Sequence, residues 1–538
     1  MISLTKPTLR WLFGGVGFHN SEATMTPIMS KEFKEQVVLK VFREISPTYS
    51  RVFAGYANWS KEAMDAFADY YDETFRKAGT LVYAVPGRMP YITDDFDIED
   101  YCEKVASNLE YLIKERNCTK IRYYCVTNEL SVGNTYAYLS KHLDLFKTLH
   151  EGLYKAFRRH NLDIGLLATD CSGVEQFGQI DWAAENMDEV TECYCAHLYS
   201  NKYLPGDINA YKYYVESFTP PVMTAHAKEK RFVLGEYGLT MQNRFNKFPM
   251  RNDVSYPVDM PETDSIYAIS LCEMAMAAIN CGSLAAVMWT LYDYPDPFIR
   301  ENGDTPEEKA RYDVARFSGH GLDIRYNKNG IIKWCDEEKD YTARSSLYTM
   351  GYMAKLFKKG SRVLDAKWDD ETIRCCGVTN SDGSVSVAII NWSEDAVSTD
   401  LNIDFEISKP MRRYEYMADN VPLNKFNDLQ DYTAVISLAK GANTITLPAK
   451  SITFFTTDYK DRTPSKIKNI RAKDGVLTWD KCTDEEHTYY RVYASDSKDF
   501  EICIENQIAS TVAESVAIDG KHKYFKVISV DKWGNAGK

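Results

Sequence analysis

Between about residue 10 and residue 355, short apolar runs alternate with longer amphipathic stretches. The runs are Leu12–Gly17, Ser50–Ala54, Thr80–Val85, Lys120–Thr127, Ile164–Thr169, Glu192–His197, Arg231–Gly235 and Leu284–Trp289. Each has the length of a buried strand. The stretches between them, such as Glu62–Lys77, Ile98–Arg116, Ala137–Arg159 and Ser265–Asn280, repeat apolar positions at helical spacing. This alternation predicts βαβ units and a parallel sheet, and eight repeats fit an α/β fold of the (β/α)₈ type, a TIM barrel with insertions. A doubly wound open sheet is the other arrangement of such units. It would want a glycine-rich phosphate loop, but Gly14-Gly15-Val16-Gly17 lies inside the first run and lacks GxGxxG spacing. The connection from Leu291 to Arg344 is long and carries Tyr292, Tyr294, Phe298, His320 and Trp334, which predicts an ordered wall over one face.

Near Ser361 the pattern changes. Val363–Trp368, Ile373–Val378, Val385–Asn391, Ser398–Ile403, Arg412–Tyr416, Val435–Ile436, Thr444–Leu447 and Ser451–Thr457 are short strands with polar turns, as in an antiparallel β-sandwich. The N-terminal strand is expected to contact it. Asp458–Pro464 reads as a charged linker. Beyond it come Leu477-Thr478-Trp479, Tyr489-Tyr490-Arg491-Val492-Tyr493, and Tyr524 through Trp533-Gly534-Asn535. This tail resembles a fibronectin type III module, which implies two small sheets around one Trp and one or two Tyr and implies no chemistry. The expected organisation is a barrel over 1–357, a sandwich over 358–458 and the third module over 459–538. For 538 residues, two to four domains is the ordinary range.

A formal net charge of −13 without a Lys/Arg cluster argues against a nucleic-acid partner. No apolar run approaches membrane-spanning length, so no membrane partner is expected either. The 13 cysteines are scattered, with no zinc spacing and no disulfide framework, as for buried thiols in a reducing compartment. The first residues lack the apolar core of a secretory leader, so a cytoplasmic location is expected; a secreted protein whose leader has been removed is the alternative. No cofactor motif is present. Tyr occurs 37 times, and rings that pack cores also stack on sugar faces.

Side chains at the C-terminal ends of barrel strands converge on one mouth. In order these ends read His19 with Asn20, Arg51, Arg88, Asn128 with Glu129, Asp170, His197 with Tyr199, Glu236 and Trp289. The set is ionisable and aromatic. Glu129 ends the fourth run and Glu236 follows the seventh, so two carboxylates can flank one bond, which is what glycosidic cleavage requires. The plain readings stay open beside this one: a satisfied core His197, an Arg51 paired with a structural Asp, a Trp289 that plugs the barrel.

Asn128-Glu129 after strand four, with Glu236 after strand seven, resembles clan A of the glycoside hydrolases. The resemblance implies that Glu129 is the general acid/base and Glu236 the nucleophile of a retaining enzyme. His197-Leu198-Tyr199 resembles the clan's His-x-Tyr, in which the Tyr orients the nucleophile. Arg51 resembles the Arg that keeps the nucleophile ionised, and Trp289 the sugar-stacking platform. Asn128 would bind the 2-hydroxyl and His19 other substrate hydroxyls. Many members read Asn-Glu-Pro where this chain has Leu130. The implied partner is a short oligosaccharide or glycoside. On this reading Glu129 needs a raised pKa, and Glu236 must stay ionised. A catalytically inactive carbohydrate-binding barrel is one alternative. A metal-dependent hydrolase is another, but it would want His-x-His near strand one, where only His19 stands.

Overall fold

The structure is a computed structural model that describes residues 1–7, 11–20, 29–86, 92, 96–130, 138–200, 203–239, 261–297, 324–327, 330–334 and 341–537. Eight parallel strands close into a barrel in chain order: β1 Gly15–His19, β2 Tyr49–Phe53, β3 Leu81–Val85, β4 Ile121–Cys125, β5 Gly165–Ser172, β6 Cys193–Ser200, β7 Arg231–Leu239 and β8 Ala285–Met288. The first and last pair directly, Gly15 opposite Ala285, so the open-sheet alternative is excluded. The expected helices are present as Lys61–Tyr71, Ile98–Glu110, Leu143–Arg159 and Pro261–Asn280, the first two continued by wider turns to Arg76 and Glu115. The glycines of the first strand serve packing. Gly15 has φ +124°, and a Cβ there would fall 2.1 Å from Thr48 Oγ1.

Three strands differ from expectation in a way that matters. β5, β6 and β7 run three or four residues beyond the apolar runs that announced them. Each carries a register shift: between Thr169 and Cys171, between Ala196 and His197, and between Leu234 and Tyr237. An extra residue in one strand bends it and re-aims the side chains around it. Asp170, His197, Tyr199 and Glu236 therefore sit on strands rather than on the loops that follow.

The inside of the barrel is filled by Tyr49, Phe53, Tyr83, Val85, Cys125, Leu167, Cys193, Cys195, Val233, Ala285 and Val287. Tyr292 and Trp334, expected in a wall over the mouth, are instead buried in the outer core, where Trp334 stacks on Phe33 at 4.7 Å. Burial of such large apolar area outweighs what an exposed wall position offers. In the same connection Tyr294–Pro297 pairs antiparallel with Ile324–Asn327. Phe298, His320 and Arg88 lie outside the described residues.

After the barrel, a six-stranded antiparallel sheet (362–456) faces a four-stranded one. Ile2–Thr5 belongs to the smaller sheet, antiparallel to Asp365–Trp368 and parallel to Val397–Ile403. Adjacent cysteines show how the larger sheet is used. Cys375 faces the sandwich core with Ile2, Leu4 and Phe455, whereas Cys376 faces the barrel helices with Tyr416 and Phe454. Period-two alternation thus gives one strand two apolar faces. The tail forms two three-stranded antiparallel sheets, with Trp479 edge-on to Tyr490 at 5.4 Å. It is tied to the barrel helix Leu39–Ile45 by buried charge: Lys40 contacts Glu44 and Asp428, Arg491 contacts Asp428, and Tyr489 donates to Glu44 at 3.0 Å. Among the described residues no helix is long and apolar enough to cross a membrane.

Candidate active site

The C-terminal mouth of the barrel is organised around one fully buried guanidinium. Arg51, in the middle of β2, donates through Nη1 to Glu236 Oε1 and through Nη2 to Asn128 Oδ1 at 2.6 Å and Asp170 Oδ2 at 2.9 Å. Its carbon lies 5.4 Å from the Phe53 ring centre and 5.3 Å from that of Tyr83. Glu236 accepts a second bond from the Tyr199 hydroxyl at 2.8 Å. Asp170 is also fully buried. It accepts from the Tyr83 hydroxyl and lies 2.8 Å from His197 Nε2. The other ring nitrogen of His197, Nδ1, faces Glu129 Oε1 at 3.2 Å and Glu236 Oε2 at 3.5 Å. Glu129 and Glu236 have carboxylate oxygens within 4.8 Å of each other.

Two of these residues sit in backbone conformations that side chains rarely adopt. Glu129 has φ 58° and Asp170 φ 57°. Such strain persists where surrounding contacts over-determine it, and it clusters at functional sites.

Arg51 and His197 face three carboxylates, Asp170, Glu129 and Glu236, so the cluster is one positive charge short of neutral and has room for one proton. His197 is the second cation. Burial disfavours its charge, but Asp170, Glu236 and Glu129 outweigh that and push its pKa up to about 10. An imidazolium has no lone pair for a metal, which counts against Glu129, His197 and Glu236 as a metal set despite their proximity. Burial opposes the ionised form of Asp170 as well, yet His197 and Arg51 hold its carboxyl well below the ordinary range.

The two glutamates depart from expectation. Burial pushes the Glu236 carboxyl up, against the pull of Arg51 and His197. Burial also opposes the charge on Glu129, but the hydrogen bond and charge of His197 prevail and hold that carboxyl below its usual value. The sequence reading wanted the reverse order. The physical reason is His197: its Nδ1 lies nearer to Glu129, at 3.2 Å, than to the more buried Glu236, at 3.5 Å.

All eight residues singled out by the sequence meet at this mouth. His19 is buried with its ring 4.2 Å from that of the half-buried Trp289. Burial and then Arg51 keep His19 well below its ordinary pKa, so it is neutral. Its Nδ1 lies 2.9 Å from Arg51 Nη1 and must accept, which puts the proton on Nε2, a buried donor with no partner among the described residues. Asn20, unassigned from sequence, is structural: it bonds Tyr70 at 2.9 Å.

Three participants had no role assigned from the sequence. Asp170 was named only as a strand end at the mouth. Tyr83 lies mid-strand, but the alternation Leu81, Tyr83, Val85 places it inward, and that signal was readable. Gly235 is the third. A Cβ there would come 3.2 Å from Asp170 Oδ1 and the Tyr83 hydroxyl, and 3.3 Å from His197 Nε2. Gly235→Ala is therefore expected to cost about 1–3 kcal/mol of stability by overpacking and up to roughly 100-fold in kcat/KM by displacing the knot. Denaturant melts and steady-state kinetics check both; wild-type kcat/KM would mean that the knot has slack.

No family model matches the chain, and no curated protein is similar to it. Solved structures are. A glycoside hydrolase family 30 subfamily 8 xylanase from Clostridium acetobutylicum superposes with TM-score 0.54 at 13% identity, over 85% of this chain and 98% of its own. The catalytic domain of the family 30 xylanase C from Talaromyces cellulolyticus gives 0.56 at 14%, over 84% and 99%. An α-L-arabinofuranosidase from Thermotoga maritima gives 0.56 at 12%, over 85% and 99%. The chain has the fold of these glycoside hydrolases. At such identities the likeness carries the barrel and the antiparallel sheets behind it; the chemistry must be argued from the mouth.

Proposed function

We propose that this protein is a retaining glycoside hydrolase, with Glu236 as nucleophile and Glu129 as general acid/base. The observation that carries the reading is the pair itself. Glutamate oxygens within 4.8 Å of each other agree with the carboxylate spacing of about 5–5.5 Å in retaining enzymes rather than the roughly 6.5–9.5 Å of inverting ones. The surroundings divide the roles. Glu236 has two fixed donors, Arg51 and Tyr199, which suit an anion that attacks carbon. Glu129 is the more open of the two and has no contact with Arg51 among the described residues, its charged partner being His197, which suits a group that gives and takes a proton.

The opposed pKa order of the free mouth then has a role in the cycle. A glycosidic oxygen entering beside Glu129 takes the place of His197. Glu129 loses the donor that held it low, burial prevails, and the shared proton settles on Glu129. Glu236 keeps Arg51 and Tyr199 and is left ionised. Attack by Glu236 on the anomeric carbon breaks the bond to the leaving oxygen, which takes the Glu129 proton. Water, deprotonated by Glu129, then cleaves the Glu236 ester. Asn128, with its oxygen held by Arg51, offers its NH₂ group to the 2-hydroxyl; the Nε2 proton of His19 is a second donor to the sugar, and Trp289 a stacking face.

The pH dependence follows. kcat/KM reports the free protein and kcat the complex. The alkaline limb of kcat is expected at higher pH than that of kcat/KM, because the complex holds the acid's proton longer. Coincident limbs would rule out the exchange of partners at Glu129.

Glu129→Ala is expected to lose about 10²–10⁴-fold on substrates that need a proton, and azide should restore part of the rate on an activated aryl glycoside as a β- or α-azide of retained configuration. Proton NMR of the first product tests retention directly. An inverted first product would overturn the mechanism, and sugar binding by calorimetry without turnover of any glycoside would leave a binding protein.

The long stretches of sequence after β7 and after β8 favour short oligosaccharides cleaved from one end. Mid-length products released first from a polymer would overturn that.

A further inference from the structure

Directly beneath the mouth, three consecutive barrel strands bring two thiols and a carboxylate together. Cys125 ends β4, Asp170 bulges from β5 and Cys195 lies on β6. The Cys125 and Cys195 sulfurs are 4.0 Å apart, and Cys195 Sγ is 3.4 Å from Asp170 Oδ1. All three residues are buried, with ligand atoms within 4.8 Å of one another. In a tetrahedral zinc site, with Zn–S about 2.3 Å and Zn–O about 2.1 Å, the edges are about 3.8 Å between sulfurs and about 3.6 Å between sulfur and oxygen. Two edges of the triangle therefore already lie within about 0.2 Å of those of such a tetrahedron, and the third is no longer than 4.8 Å.

We propose that Cys125, Cys195 and Asp170 form a binding site for a thiophilic divalent cation, Zn²⁺ or Cd²⁺, and that occupying it shuts down the mouth above. The second half rests on the glycoside hydrolase reading; the first does not. Binding is a simple exchange. Two S–H bonds break, two metal–sulfur bonds form, and two protons leave to solvent, so the charge of the barrel interior is unchanged and nothing is oxidised or reduced. Two thiolates select a soft ion over Mg²⁺ or Ca²⁺. Because protons are released, binding tightens as pH rises. The inhibition follows from the third ligand. Asp170 Oδ1 is the atom that accepts from Tyr83 and faces His197. When it turns to the metal, both partners lose it, and His197 loses the contact that fixes its ring with Nδ1 aimed at Glu129 and Glu236.

The test uses the full-length protein with CdCl₂ or ZnCl₂ alone. Cadmium is expected to raise a sulfur-to-metal ultraviolet band at one equivalent. The band should vanish in Cys125→Ser and persist in Cys503→Ser, which removes an exposed thiol. X-ray absorption of the zinc-loaded wild type should show two sulfurs at about 2.3 Å, a readout that does not depend on any variant folding. Hydrolysis by wild type should fall at least tenfold with metal and return with EDTA, while Cys125→Ser keeps its basal rate and resists. Zinc bound without sulfur, or a cadmium band unchanged in Cys125→Ser, overturns the site. Sulfur-ligated metal with undiminished hydrolysis overturns the inhibition. A metal-free wild type that hydrolyses no glycoside overturns the functional reading and with it the inhibition, while the spectra still decide the site.

Discussion

Glu236→Ala is expected to lower kcat/KM on an activated aryl glycoside by on the order of 10⁵-fold or more, the scale seen when a covalent enzyme loses its nucleophile. An activated leaving group removes the need for Glu129's proton, so the deficit isolates the attack on carbon. The loss should appear in kcat, because a carboxylate buried beneath Tyr199 acts on the reacting carbon rather than on the distant parts of the substrate. Stability should move the other way or hardly at all. Burial pushes the Glu236 carboxyl up, so its ionised form is a net burden on the fold at neutral pH, and alanine removes it. Folded protein with near-normal activity in this variant would end the glycosidase reading. Rescue of the alanine variant by azide or formate would, in addition, identify the face of the sugar that Glu236 attacks.

Arg51→Met is expected to be the most destabilising single change at the mouth, by about 3–5 kcal/mol, the cost of leaving buried charge without its partner. Arg51 is wholly buried and touches Glu236, Asn128, Asp170 and His19 at once. The sign with pH distinguishes lost charge from lost packing. The folded Asp170 carboxyl is lowered, by His197 and Arg51 against burial, so it contributes stability above its unfolded pKa of about 3.9 that is lost as pH falls. Removing Arg51 takes part of that away. Glu236 is raised already and rises further without its cation, so its contribution is present only below its unfolded pKa and is lost as pH increases. The Asp170 loss is present at both pH 4 and pH 8, whereas the Glu236 term makes the variant weakest near pH 8 and brings it closer to wild type near pH 4. Urea melts at the two pH values measure this; an equal deficit at both would mean that Arg51 is held by shape and not by charge. Activity should fall with it, since Glu236 then holds its proton and cannot attack.

Much of the barrel was legible because each strand is buried on both faces and so stands out as an apolar run, and because each crossover helix has one apolar side. The sandwich strands were legible for the opposite reason, short alternation between polar turns. The strand ends at Arg51, Asn128-Glu129, His197 and Glu236 were legible because ionisable groups rarely follow such runs without a use. The wall of aromatics after β8 was misread because composition does not say which way a ring points: Trp334 and Tyr292 point inward.

The sequence alone determined the order of elements, their parallel α/β character and the strand ends from which the mouth is built, since period and strand polarity dictate these without reference to distance. Only the tertiary structure decided how those side chains are wired. The bulges at Asp170, His197 and Gly235, Tyr83 at mid-strand, and the position of His197 between two glutamates depend on residues tens of positions apart in the chain. Hydrogen bonds and charge interactions fall off over a few ångströms, and sequence carries no such distances. That is why the pair Glu129 and Glu236 could be named from the chain, while the proton they share could be placed only in the fold.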